Sequence, residues 1–155
     1  NATLWITFAS LAGVLGGGVL ADRWMKATSR GRIFTSALGM VLMIPALFGV
    51  GYAPTLGVAI GFLILFGVGW GFFDCNNMPI LCQIVRPEFR ATGYGIMNLV
   101  SITAGGFFTA KIGALRDSGV APALIFSFCA IAAAVSVALV LCIRPRNISE
   151  SKTDV

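Results

Sequence analysis

The residues best suited to chemistry lie in one run, Trp70-Gly71-Phe72-Phe73-Asp74-Cys75-Asn76-Asn77-Met78-Pro79. Asp74 is the only charged residue in the apolar stretch 56–85. A carboxylate there can hold a proton, a sodium ion or a cationic group of a solute. Asn77 offers both a donor and an acceptor, and Trp70 supplies an aromatic wall. At 100° per residue, Gly67, Trp70, Asp74, Asn77, Met78 and Leu81 share one helix face, with Asn76 and Gln83 on the opposite one. Pro79 cannot donate to the helical ladder, so it leaves backbone carbonyls free beside the polar cluster. A second polar stripe, Tyr94, Asn98, Ser101, Gly105 and Thr109, follows at helical spacing in the next apolar stretch. With no histidine in the chain, Ser-His-Asp and Cys-His centres are excluded within it. The four cysteines, Cys75, Cys82, Cys129 and Cys142, lack the C-x-x-C spacing of a metal site and read as small packing residues. The expected protein is therefore not an enzyme and uses no catalytic residue, metal or cofactor.

These groups must be positioned by membrane helices. The chain of 155 residues is 57% hydrophobic and 11% charged, with mean hydropathy +0.91, whereas soluble domains carry about 25% charged residues. Five stretches, about 2–21, 33–53, 56–85, 91–115 and 120–143, reach the roughly 20 apolar residues that cross a bilayer. None has the polar face at period 3.6 that a soluble helix needs. The expected fold is all-α, a polytopic bundle over residues 1–143 with a polar tail at 144–155. Inside such a span an ionisable residue costs at least about 2.5 kcal/mol at the bilayer centre, which makes Asp74 a functional candidate. The blander alternative is a polar packing knot, with Asp74 held by donors from a neighbouring helix.

The basic residues fix an orientation. If the spans alternate, Arg23, Lys26, Arg30, Arg32, Arg86, Arg90, Arg144, Arg146 and Lys152 fall on one side, and only Lys111 and Arg116 fall at or toward the other. The positive-inside rule then runs the first helix from outside to inside and leaves the C-terminus cytoplasmic. Bases that hold topology explain the net charge of +5 without a nucleic-acid partner. Lys111, near the outer end, reads as a snorkelling side chain. The sequon Asn147-Ile148-Ser149 lies in the cytoplasmic tail and is discounted. No basic region precedes the first apolar run, which argues against a cleaved signal peptide. The start at Asn1, directly in a span, reads as a piece of a longer polypeptide. Small residues at four-residue spacing (Gly13 and Gly17, Gly67 and Gly71, Ser101 and Gly105) mark faces where membrane helices approach closely. Short connections predict antiparallel neighbours in one compact bundle.

The segment Gly18-Val19-Leu20-Ala21-Asp22-Arg23-Trp24-Met25-Lys26, followed by Arg30-Gly31-Arg32, resembles the signature loop of the major facilitator superfamily, G-x-L-a-D-r-x-G-r-[rk]. Gly18, Leu20, Ala21, Asp22, Arg23 and Lys26 match, and Met25 stands where the family has Gly. Arg86-Pro87-Glu88-Phe89-Arg90-Ala91-Thr92-Gly93 is similar to the family's link between helices ten and eleven. Together the two marks place this chain as helices eight to twelve of the twelve, the C-terminal half of the fold without helix seven. The resemblance implies a secondary transporter of the plasma (inner) membrane that moves a small organic solute by alternating access, with a coupling proton or sodium ion. Its partners would be the bilayer and the N-terminal half of the same carrier. Gly18, Asp22, Arg23, Lys26 and Arg90 would form a cytoplasmic gate, with the Asp22 carboxylate meeting the positive end of a helix in the other half. The topological alternative is that the bases are orientation anchors only. Trp70, Asp74, Asn77, Tyr94, Asn98 and Ser101 would line the central cavity. A symporter of organic anions or sugars is the nearest subgroup. A drug/proton antiporter, or a non-transporting sensor or assembly protein of the same fold, are the alternatives.

Overall fold

The structure, a computed structural model, describes residues 2–143; the predicted tail and its sequon lie outside the described residues. Among the described residues every regular element is helical: α1 (Ala2–Met25), α2 (Gly31–Gly51), α3 (Leu56–Ile84), α4 (Arg90–Asp117) and α5 (Pro122–Leu141), with a short 3₁₀ turn at Pro87–Phe89 before α4. All five are long and apolar enough to cross a membrane. The protein is a membrane helix protein, as expected. The predicted spans agree with the helices to within a few residues at most ends. The largest difference is α1, which continues through Asp22 and Arg23 to Met25, so that only 26–30 connect it to α2. Ala, Leu, Arg and Met all favour helix, and nothing in that segment breaks it.

The ends of the helices have local causes. Thr55 caps α3 through its hydroxyl, which accepts from the Val58 amide at 3.4 Å. After α4 the chain turns through Gly119 at φ +84°, with Val120 N–H donating to Leu115 O at 3.1 Å and Gly119 N–H to Arg116 O at 3.0 Å. This is the Schellman arrangement, which requires a left-handed residue and so favours glycine. Pro122 then opens α5, where its missing N–H costs nothing.

The helix register can be read from the glycines. On α1 and α3 the contacts advance together: Gly13 lies on the Val68 backbone, Gly17 on Phe72 and Cys75, and Gly71 on the Ser10 carbonyl. These two helices run parallel. On α2 and α3 they run in opposite senses, Gly39 against Gly69 and Phe72, Gly49 against Phe62. A Cβ on Gly39 would stand 2.5 Å from the Gly69 oxygen, and one on Gly69 would stand 2.6 Å from the Gly39 oxygen. The backbones therefore touch directly, an approach only glycine permits. Antiparallel α5 covers the other side of α2, with Gly51 beside Ala123 and Phe126. The core follows this plan: α3 lies against both α1 and α2, and Ala21, Ile33, Thr35, Ser36, Ala46 and Asn76 are fully buried.

The single compact bundle expected from the short connections does not form. No residue of α4 is buried. The helix rests on the others near its start, where Gly93 meets Leu81 and Val85. Gly105 and Gly106 have open space around them, so Ser101 and Gly105 do not form a close contact face here. A short loop brings two helix ends together but supplies no packing along their length.

Candidate functional site

The candidate residues on α3 stand where the 100° projection put them, with one exception. Trp70, Asp74 and Met78 are exposed and Asn77 is half-buried, whereas Asn76 on the other side is fully buried. Gly67 is the exception, since it packs against Ile6 and Ala9 of α1 and lies at the border of the exposed face. Asp74 lies 18 residues after the start of α3 and 10 before its end, about 6 Å from the helix midpoint at 1.5 Å per residue, and so inside an apolar layer roughly 30 Å thick centred on that helix. Among the described residues its carboxylate has neither a hydrogen bond nor an ion pair. Pro79 sits inside the same helix one turn further on, depriving the Cys75 carbonyl of its usual donor.

The packing role falls to Asn76 instead. Its Nδ2 donates to Phe72 O at 2.9 Å, while its Oδ1 is buried without a partner, as is Ser36 Oγ on α2. Gly39 touches Phe72 and Phe73, and one turn further toward the basic end are Ser36 on α2 and Asn76 on α3. These two polar groups thus belong to one layer of the α2–α3 interface.

Trp70 forms part of an aromatic row, stacked on Phe66 at 6.4 Å between centroids and edge-on to Phe73 at 6.2 Å. Phe66 and Trp70 also line an open groove of about 520 Å³ between α3 and α1, whose far wall is Ile6, Thr7, Ser10, Leu11 and Val14. The α1 residues of this groove were not among the sequence candidates. Their only signal was the pair of hydroxyls, Thr7 and Ser10, within an apolar span.

On α4, Tyr94 and Ser101 are exposed and Asn98 is half-buried. No hydrogen bond links this set to Trp70, Asp74 or Asn77 among the described residues. Lys111 is exposed, its ammonium 5.5 Å from the Phe107 ring centre on the same helix.

At the basic end, Arg32 Nη2 donates to Asp22 Oδ1 at 2.9 Å, tying the last turn of α1 to the first turn of α2. Gly18 is half-buried, and Arg23 and Lys26 are exposed. Arg90 reaches back to Cys82 O at 3.0 Å, a carbonyl in the last turn of α3. Arg30, which was not a sequence candidate, donates to the carbonyls of Leu141 and, at 3.1 Å, Ile143, while its guanidinium lies 5.5 Å from the Phe34 ring centre. Both arginines therefore place positive charge on helix C-terminal carbonyls, where the macrodipole favours it. Comparison of the chain with protein-family models, with curated proteins and with solved structures gave no match.

Proposed function

We propose that this chain is the C-terminal part of a major-facilitator secondary transporter of the plasma membrane. In this reading it moves a small organic solute by alternating access, coupled to a proton or sodium ion. The observation that carries it is Asp74: a carboxylate exposed inside a span, with no partner among the described residues. A face presenting that carboxylate to lipid would cost at least about 2.5 kcal/mol, so it is better suited to a water-filled path. Exposed Trp70 and half-buried Asn77 on the same face, and the groove that Trp70 shares with Phe66, Thr7 and Ser10, give a solute both an aromatic wall and polar contacts. Tyr94, Asn98 and Ser101 on the unpacked α4 complete the cavity when the N-terminal half of the carrier closes over it. The Asp22–Arg32 pair at the basic end acts as one element of the gate, together with Gly18, Arg23, Lys26 and Arg90.

The test is solute flux in proteoliposomes made with the full-length polypeptide, screened over organic anions, sugars and lipophilic cations with and without proton and sodium gradients. Asp74→Asn should abolish accumulation driven by the gradient. If the carboxylate couples the ion, downhill exchange should survive in that variant; if it binds solute, both modes should fail together. Correctly inserted wild-type protein that moves none of these solutes would favour the sensor or assembly role.

A further inference from the structure

We propose that Arg23, Lys26 and Arg86 form a binding site for the phosphate of an anionic lipid headgroup, at the membrane surface on the basic end of the bundle. The case begins with what the other bases there are doing. Arg30 is committed to the Leu141 and Ile143 carbonyls, Arg32 to Asp22, and Arg90 to Cys82 O. Each has a structural task that an external anion would interrupt. Arg23, Lys26 and Arg86 have no side-chain partner among the described residues, and all three are exposed.

These three bases stand at the basic end of the α1–α3 seam. The α1 and α3 helices run parallel and in contact, and their ends meet where Gln83 Nε2 lies 3.6 Å from Met25 Sδ. On the α1 side Lys26 directly follows Met25 and Arg23 belongs to the last turn of the helix, with the Lys26 amide donating to the Arg23 carbonyl at 3.3 Å. Arg86 follows Ile84 by two residues on the α3 side. The seam is also the border between apolar span and polar connection, the level at which lipid phosphates lie. Exposed Ile84 and Phe89 stand beside the bases and offer apolar surface to the glycerol and upper acyl region. Among the described residues the acids of these end segments are Asp22, already paired with Arg32, and exposed Glu88, so the free bases there outnumber the free acid. Topology alone asks only that positive charge be on this side; it does not ask for bases left unpaired at the adjoining ends of two packed helices.

The measurement is native mass spectrometry of the full-length protein released from nanodiscs of phosphatidylcholine and phosphatidylglycerol. Wild type should retain phosphatidylglycerol in preference to phosphatidylcholine. Each base removed should weaken retention about fivefold, so that Arg23→Gln, Lys26→Gln and Arg86→Gln combined lower it on the order of a hundredfold. The charge-preserving Arg23→Lys, Arg86→Lys variant should keep the preference, as should Lys111→Gln at the far end of α4. Equal retention of the two lipids, or an unchanged preference in the triple variant, would overturn the site. So would displacement by inorganic phosphate at equal concentration, which would make it a site for soluble anions. A triple variant that inserts upside down would reduce the bases to orientation anchors and overturn it as well.

Discussion

The Asp22 carboxylate and the Arg32 guanidinium stand 2.9 Å apart, joining α1 to α2 across a connection of five residues. Asp22 is 68% exposed and Arg32 26%, so the pair is worth only about 0.2–1 kcal/mol in stability. A bond this weak suits a contact that is made and broken in a cycle. Asp22→Asn should lower the unfolding free energy by less than about 1 kcal/mol and leave membrane insertion intact, and under the proposed transport role solute flux should fall severalfold. Thermal denaturation and flux measured on the same preparation check this. Parallel loss of protein level and flux would make the pair an anchor.

The glycine contacts give a sharper contrast. Gly71→Ala places a methyl group on the Ser10 carbonyl and within 2.6 Å of the Val14 nitrogen, forcing α1 and α3 apart. That substitution should cost about 1–3 kcal/mol. Gly105→Ala meets open space in the interior of α4 and should cost nothing, gaining up to about 1 kcal/mol from helix propensity. Unfolding in a denaturing detergent titration gives both numbers. Equal costs would mean that α4 is packed in the membrane.

Arg30 holds the end of α5. Arg30→Gln removes a charge-assisted contact to two helix-terminal carbonyls, worth about 1–2 kcal/mol. Hydrogen exchange should accelerate over Leu139–Ile143 and remain unchanged over 64–73 in α3. Uniform acceleration would show that the cap supports the whole bundle.

Thiol accessibility separates the two faces of α3. In a background without the native cysteines, cysteine at Trp70, Asp74, Asn77 or Asn98 should react with aqueous reagents. Cysteine at Asn76, which is fully buried, should not. Inertness at all five positions would assign the cluster to packing.

The spans were legible because length and uniform apolarity are physical requirements of a bilayer, and sequence states both directly. Which face of α3 carries Asp74 was legible too, since 100° per residue is a property of the backbone. Helix neighbours were only partly so. In nearly uniform apolar helices no amphipathic stripe says which side packs, and only the glycine pairs on α1 and α3 gave a sign. The same sign at Ser101 and Gly105 misled, because small residues permit an approach without driving one. Arg30 and its carbonyls lie 111 and 113 residues apart, and a side chain bonding to backbone oxygens leaves no residue-type pattern to find. Asp22 stands out in the sequence as the one acid among the bases of its segment, but its partner Arg32 depends on how the short connection folds.

The Arg30 contact also has a consequence in time. A ribosome adding about 5–20 residues per second delivers Leu141 roughly 5–20 s after Arg30, given the 111 residues between them. Throughout that interval the guanidinium has no carbonyls to grip, and the side of α2 that α5 will cover faces lipid or the insertion machinery. The first three helices can settle among themselves, since each of their contacts is already synthesised. The arrival of α5 is then a separate, late event, and Arg30 is the group waiting to receive it. Stalling synthesis before Pro122 should leave an inserted core of α1, α2 and α3, with α4 joined to it only near its start and the α5 side of α2 uncovered.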